Sequence, residues 1–158
     1  MNIAFIASQG GHSGQIHIIF TEEVIGRNRP ILITEHPELA GTKKDKSFLK
    51  KYPVYYFRKD YLGFNPFRYL VAFLKLRDIF KKERISLMVT NGAQISIPAV
   101  IAAKTLKIKT IFIDTVIRVK TPNWSARACY FFSDIFLVQH RNMIKKYGKK
   151  ARYEGGIL

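Results

Sequence analysis

The residues best suited to chemistry stand together near the start of the chain, in Gly10-Gly11-His12-Ser13-Gly14. They follow a short apolar run and open a stretch that reads as a helix. Glycines allow a ligand close to the backbone, and a helix N-terminus offers free N–H groups and partial positive charge, a seat for phosphate or diphosphate. His12 adds an imidazole. A helix N-terminus disfavours imidazolium, so His12 tends towards the neutral form, able to take a proton from a hydroxyl or to hydrogen-bond a phosphate. The plain alternative is an ordinary strand-to-helix turn.

Other phosphate loops fit less well. Glu35 ends the second predicted strand, where a ribose-binding acid of a dinucleotide fold would sit. Yet His12 occupies the place of the second glycine of G-x-G-x-x-G, and no Gly-Lys-Ser/Thr follows. Metal chemistry has little support: Cys129 is the only cysteine, and His12 and His17 do not share the spacing of a helical zinc pair. We expect neither a metal nor a cofactor.

Two further loops join the first. Thr90-Asn91-Gly92-Ala93-Gln94 is a second strand-to-helix turn with a glycine. Asp114 ends another strand, with Arg118 close behind. That pair reads either as a surface ion pair of little energetic weight or as a ligand-contacting acid with a phosphate-binding arginine.

The elements that must position these loops are legible from apolar runs and turn signals. Strands are expected at Ile3–Ala7, Pro30–Thr34, Val54–Phe57, Leu87–Thr90, Thr110–Asp114 and Ile135–Val138, with a last one beginning at Tyr153-Glu154. Helices are expected from Ser13 to Ile25, from Asn65-Pro66 to about Glu83, over Ile97–Leu106 and Ser125–Phe132, and from Arg141 to Tyr147. Asn65 is a good N-cap and Pro66 suits the first helical position. Glu35 to Lys51 reads as a Lys-rich loop. Apolar strands alternating with helices predict one α/β domain over residues 1–158, a Rossmann-like parallel sheet with helices on both faces. Ligands then sit beyond the C-terminal ends of the strands, where all three loops fall.

The chain carries 27 Lys and Arg against 11 Asp and Glu, a net charge of +16. Such a charge needs a negative partner: nucleic acid, anionic lipid or a phosphorylated substrate. No nucleic-acid motif accompanies it, so nucleic acid is not expected. The N-terminus reads as a strand rather than a signal, and apolar stretches such as Tyr69–Leu74 and Ile95–Ala103 fall short of the ~18–20 residues of a span. Membrane contact is therefore expected to be peripheral. The helix beginning at Phe67 should pack most of its apolar residues on the sheet. Its entry, with Phe64, Phe67, Arg68 and Lys75, also suits an interfacial membrane element.

Several stretches in order resemble a known family: Ile6-Ala7-Ser8-Gln9-Gly10-Gly11-His12, Asn65-Pro66, Thr90-Asn91-Gly92-Ala93, Ile113-Asp114 with Arg118-Val119, and Phe136-Leu137-Val138-Gln139. The chain resembles the membrane-anchor subunit that helps add the second N-acetylglucosamine in dolichol-linked oligosaccharide synthesis, and bacterial capsule and exopolysaccharide subunits of PssD type. The resemblance implies the N-terminal, acceptor-side half of a split, inverting GT-B glycosyltransferase without a metal, at the cytoplasmic face of the membrane. A separate small chain would bind the UDP-sugar, and the acceptor would be a polyprenyl-diphosphate-linked saccharide. Gly10, Gly11 and His12 match a loop of MurG-like transferases associated with acceptor diphosphate and catalysis. Ser13, Gly14, Asn91, Gly92, Ala93, Asp114 and Arg118 would complete the acceptor site. The rivals are a basic nucleic-acid-binding module and a stand-alone Rossmann nucleotide enzyme.

Overall fold

The computed structural model describes residues 1–7, 26, 28–35, 52–57, 62–63 and 65–156. The expected helix over Ser13–Ile25, nearly all of the Glu35–Lys51 stretch, the Gly10–Gly14 loop and Phe64 lie outside them. The described strands are β1 (Asn2–Ala7), β2 (Arg29–Thr34), β3 (Val54–Tyr56), β4 (Leu87–Thr90), β5 (Lys109–Ile113), β6 (Ile135–Leu137) and β7 (Ala151–Arg152). The described helices are α1 (Pro66–Lys82), α2 (Ser96–Thr105), α3 (Trp124–Phe132) and α4 (Asn142–Tyr147).

All strands pair in parallel in one sheet of order β3-β2-β1-β4-β5-β6-β7. The order reverses direction between β1 and β4, the switch point at which α/β sheets bind ligands. β1 and β2 are buried almost throughout, as expected of a sheet covered on both faces. One core cluster joins Ile6, Ile31, Ile33 and Met88 to Leu76 and Phe80 of α1, Val100 of α2 and Cys129 of α3. A second, on the opposite face, holds Ile3, Phe5, Leu32, Val89 and Ile113. Phe112 and Phe136 stack at 4.8 Å between β5 and β6.

Local chemistry sets the helix ends. The Asn65 side chain accepts a hydrogen bond from Phe67 N–H at 3.0 Å, and Pro66 stands at the first turn. At the other end Arg84 adopts φ +49°, and Ile85 N–H closes onto Phe80 C=O at 3.0 Å. α2 ends in the same way: Lys107 has φ +57°, and Ile108 N–H bonds Ala103 C=O.

One expectation needs correction and another is sharpened. The last strand is Ala151–Arg152, two residues before Tyr153-Glu154, because Ala151 and Arg152 pair with Phe136 and Leu137, and Val138 N–H bonds Arg152 C=O. Tyr153 instead lies under the Arg141 guanidinium, 5.2 Å from the ring. On α1 the buried face is Ala72, Leu76 and Phe80, whereas Phe67, Leu70 and Leu74 point to solvent, with Phe67 69% exposed. Phe73, Leu76, Ile79 and Phe80 pack in or against the core and Val71 is half-buried, so most of the apolar residues of α1 face inward as expected, and the outward stripe is Phe67, Leu70 and Leu74.

Candidate functional site

The site must be built at the C-terminal edge of β1, β4 and β5. Ile6 of β1 lies opposite Thr90 of β4, and Thr90 opposite Phe112 of β5. The chain leaves β4 through Asn91, which is buried, then Gly92 at φ +112° and Ala93 at φ +69°. Two successive residues of positive φ fold the backbone sharply before α2. Gly92 takes this without strain, whereas Ala93 pays a penalty of about 1 kcal/mol that its surroundings must offset.

A chain of hydroxyls holds that turn, and the sequence did not single it out. The buried Thr90 hydroxyl lies 3.2 Å from Ile6 C=O and 2.6 Å from the Ser96 hydroxyl. Ser96 Oγ in turn donates a short hydrogen bond to Gly92 C=O. One unit therefore joins the end of β1, the end of β4, the glycine loop and the first turn of α2. Threonine and serine six apart across a Gly-containing turn were the only sequence signal, and an unspecific one.

Asp114 follows β5 directly, and its N–H continues the ladder to Leu137 C=O at 2.8 Å. The side chain is 2% exposed, so it is no surface residue. Its Oδ1 accepts from Thr115 N–H at 2.9 Å. Oδ2 is buried without a hydrogen-bond partner among the described residues, as are Thr115 Oγ1 and Tyr147 Oη. Burial pushes the Asp114 carboxyl above the usual carboxylate range, against the opposing pull of Tyr147, Thr115 N–H, Arg118 and His140. Burial, and then the Asp114 charge, push the Tyr147 hydroxyl up in turn. The Tyr147 hydroxyl thus stands beside the carboxylate without hydrogen-bond geometry. Buried polar atoms left open in this way are places for a water or a ligand group.

Arg118 is exposed and makes no ion pair with Asp114; it acts on the carboxylate only from a distance. The loop that carries it is pinned from the next strand end. His140 Nε2 meets Val116 C=O at 2.7 Å, and Asn142 Nδ2 donates to Val119 C=O at 2.7 Å. His140 is thus a loop anchor, and Tyr147 is a neighbour of Asp114 that sequence reading did not connect to it.

The structure brings Asn91, Gly92, Ala93 and Asp114 to adjacent strand ends and sets Arg118 on the exposed loop above them. Phe67 and Arg68 lie exposed at the start of α1, with Lys75 exposed farther along. Among the described residues no group of three His, Cys, Asp or Glu side chains could hold a metal ion, and no helix is long and apolar enough to cross a membrane.

Comparison with known proteins places this frame. The fold is similar to MurG of Acinetobacter baumannii (TM-score 0.68, 14% identity), covering 89% of this chain and 42% of that one. It is similar to the UDP-GlcNAc 2-epimerase of Neisseria meningitidis (TM-score 0.67, 14% identity), covering 99% and 46%. It is also similar to a glycosyltransferase of Rickettsia africae (TM-score 0.62, 18% identity), covering 92% and 38%. The chain thus spans less than half the length of these structures, as one Rossmann-like half of such a fold. No curated protein matches its sequence. A family model described as "Oligosaccharide biosynthesis protein Alg14 like" matches residues 60–158, more than half of the chain, from α1 through the Asn91–Ala93 turn and Asp114 to β7. The chain belongs to the Alg14-like family of oligosaccharide biosynthesis proteins.

Proposed function

We propose that this chain is the acceptor-side subunit of a two-chain, inverting glycosyltransferase. A partner chain binds the UDP-sugar, and this chain presents a polyprenyl-diphosphate-linked saccharide at the cytoplasmic face of the membrane. The observation that supports the reading is family membership: residues 60–158 match a family of oligosaccharide biosynthesis proteins, on a fold similar to part of MurG.

In this reading Gly10, Gly11, Ser13 and Gly14, which the sequence predicts to open a helix, receive the acceptor diphosphate. His12 either holds that diphosphate or takes the proton from the attacking hydroxyl. The hydroxyl oxygen bonds to the anomeric carbon, the bond to UDP breaks on the opposite side, and UDP leaves with the electron pair. The Asn91–Ala93 turn forms the facing wall of the cleft, with Arg118 above it as a phosphate-binding cation. Asp114 works from beneath, since its side chain is almost wholly buried. Neither a metal nor a cofactor enters the scheme.

Membrane contact falls to α1. Phe67, Leu70 and Leu74 form one exposed apolar stripe at helical spacing, flanked by Arg68, Lys75, Lys81 and Lys82. Each basic residue near an anionic surface contributes roughly 1 kcal/mol, attenuated by salt. Phe64, expected beside them, lies outside the described residues.

The test is turnover and flotation. His12→Ala, assayed with the donor-binding chain, should lower transfer by about 100-fold or more if His12 is the base; full turnover would remove it from catalysis. The wild-type chain should float with anionic vesicles at low salt and not with neutral ones. Equal behaviour on both would remove the membrane from the reading.

A further inference from the structure

A second apolar surface lies away from α1, on the other side of α2. The inner face of α3 carries the buried Ser125, Ala126 and Cys129. Its outer face carries Trp124, Arg127 and Phe131, and Phe131 is 75% exposed, the highest value of any large apolar side chain among the described residues. Between α3 and α4 lies a groove of about 260 Å³ lined by Arg127, Tyr130, Phe131, Lys146 and Tyr147.

The groove is built rather than incidental. Tyr130 meets Phe131 edge-on at 5.7 Å and Phe136 at 5.2 Å, and stacks with Tyr147 at 6.3 Å. Its hydroxyl accepts Lys150 N–H at 3.0 Å, while Lys150 Nζ donates to Tyr130 C=O at 2.7 Å. Tyr130 and Tyr147 are therefore held in place before anything binds, which lowers the ordering cost of binding. Arg127 and Lys146 stand exposed at its rim and have no ion-pair partner among the described residues. Tyr147 also ties the groove to the candidate site, because its hydroxyl lies beside buried Asp114.

These features select an occupant. A second copy of the chain would bring the same two cations and a like net charge of +16, so self-association is opposed. A lipid surface suits the outward stripe of α1 better than a concave aromatic slot. Two open cations beside an aromatic slot complement a polypeptide segment with an acidic residue next to a large apolar one. We propose that the α3–α4 groove docks such a segment of the donor-binding chain: its apolar side chain enters between Tyr130, Phe131 and Tyr147, and its carboxylate pairs with Arg127 and Lys146. The proposal rests on the two-chain reading, which it deepens by locating the interface.

The experiment uses the full chain, co-expressed with its proposed UDP-sugar-binding partner, and measures affinity by calorimetry on the purified components. Wild type should bind. Phe131→Asp and the double variant Arg127→Glu/Lys146→Glu should each weaken binding by about 30-fold or more, as expected for interface anchors. All replaced side chains are exposed, so an unchanged melting temperature and unchanged flotation on anionic vesicles show that the fold and α1 are intact. If wild type binds and both variants bind equally well, the groove is not the interface, although the two-chain reading stands. If wild type itself fails to bind, both fall. If the variants keep the partner and lose the vesicles, the groove faces lipid and the proposal is overturned.

Discussion

Thr90→Val tests how the fold builds its site. The change keeps shape and volume and removes one hydroxyl. In the wild type two hydroxyl hydrogens serve three contacts: Thr90 with Ile6 C=O, Thr90 with Ser96, and Ser96 with Gly92 C=O. All lie in the interior, with Thr90 and Ser96 fully buried. Valine removes two of these contacts and sets a methyl group against Ser96 Oγ, which was 2.6 Å from oxygen. A buried hydrogen bond contributes about 1 kcal/mol net, and leaving a partner unsatisfied costs about 1–3 kcal/mol. We expect a loss of about 2 kcal/mol, or roughly 4–8 °C in melting temperature for a domain of this size. The assay is a thermal and urea melt of Thr90→Val, Ser96→Ala and the double variant. The single losses should exceed their combined effect, with a coupling of about 0.5–2 kcal/mol. A Thr90→Val variant within about 0.5 kcal/mol of wild type, or strict additivity, would refute the idea that these hydroxyls brace the Asn91–Ala93 turn.

Other outcomes follow from the same structure. Asp114 has its pKa raised by burial, so its contribution to stability is fully present below the unfolded value of about 3.9 and is lost as pH rises through the folded value. Asp114→Asn should abolish that loss, so its stability relative to wild type should improve as pH rises from about 4; parallel curves would contradict it. Asp134 titrates in the opposite sense: burial alone would raise it, but Thr110 and Lys104 hold it low, so its contribution is lost only as pH falls below about 4. Asn65→Ala should cost about 1 kcal/mol in urea melts by removing the cap on α1, with Asn65→Asp nearly neutral. A silent alanine would mean that the cap contributes nothing in this context.

How much of this was legible depends on how local the cause is. The start of α1 could be read because Asn65 and Pro66 act on their own neighbours. The strands could be read because apolar runs covered on both faces leave little ambiguity. β7 was placed two residues late because its register is set by the edge of β6, which no local signal in Tyr153-Glu154 reveals. The orientation of α1 was blurred because Phe67, Leu70, Phe73, Leu74 and Leu76 make both of its faces apolar. At the site, Asn91–Ala93 could be read from a glycine after a strand. The burial of Asp114 and its approach to Tyr147 could not, because they depend on α4, some thirty residues further along the chain, bringing Tyr147 to the end of β5. The Thr90–Ser96 hydroxyl chain was missed for the same reason: its meaning lies in Ile6 C=O on the neighbouring strand.

The central claim is that this chain is half of an enzyme, and reconstitution tests it most directly. Transfer from a UDP-sugar to a polyprenyl-diphosphate-linked saccharide is measured with this chain, with the donor-binding chain, and with both. Turnover should appear only when both are present, and should fall with the affinity of the pair. Full turnover from either chain alone, or none from the assembled pair across UDP-sugars, would contradict it.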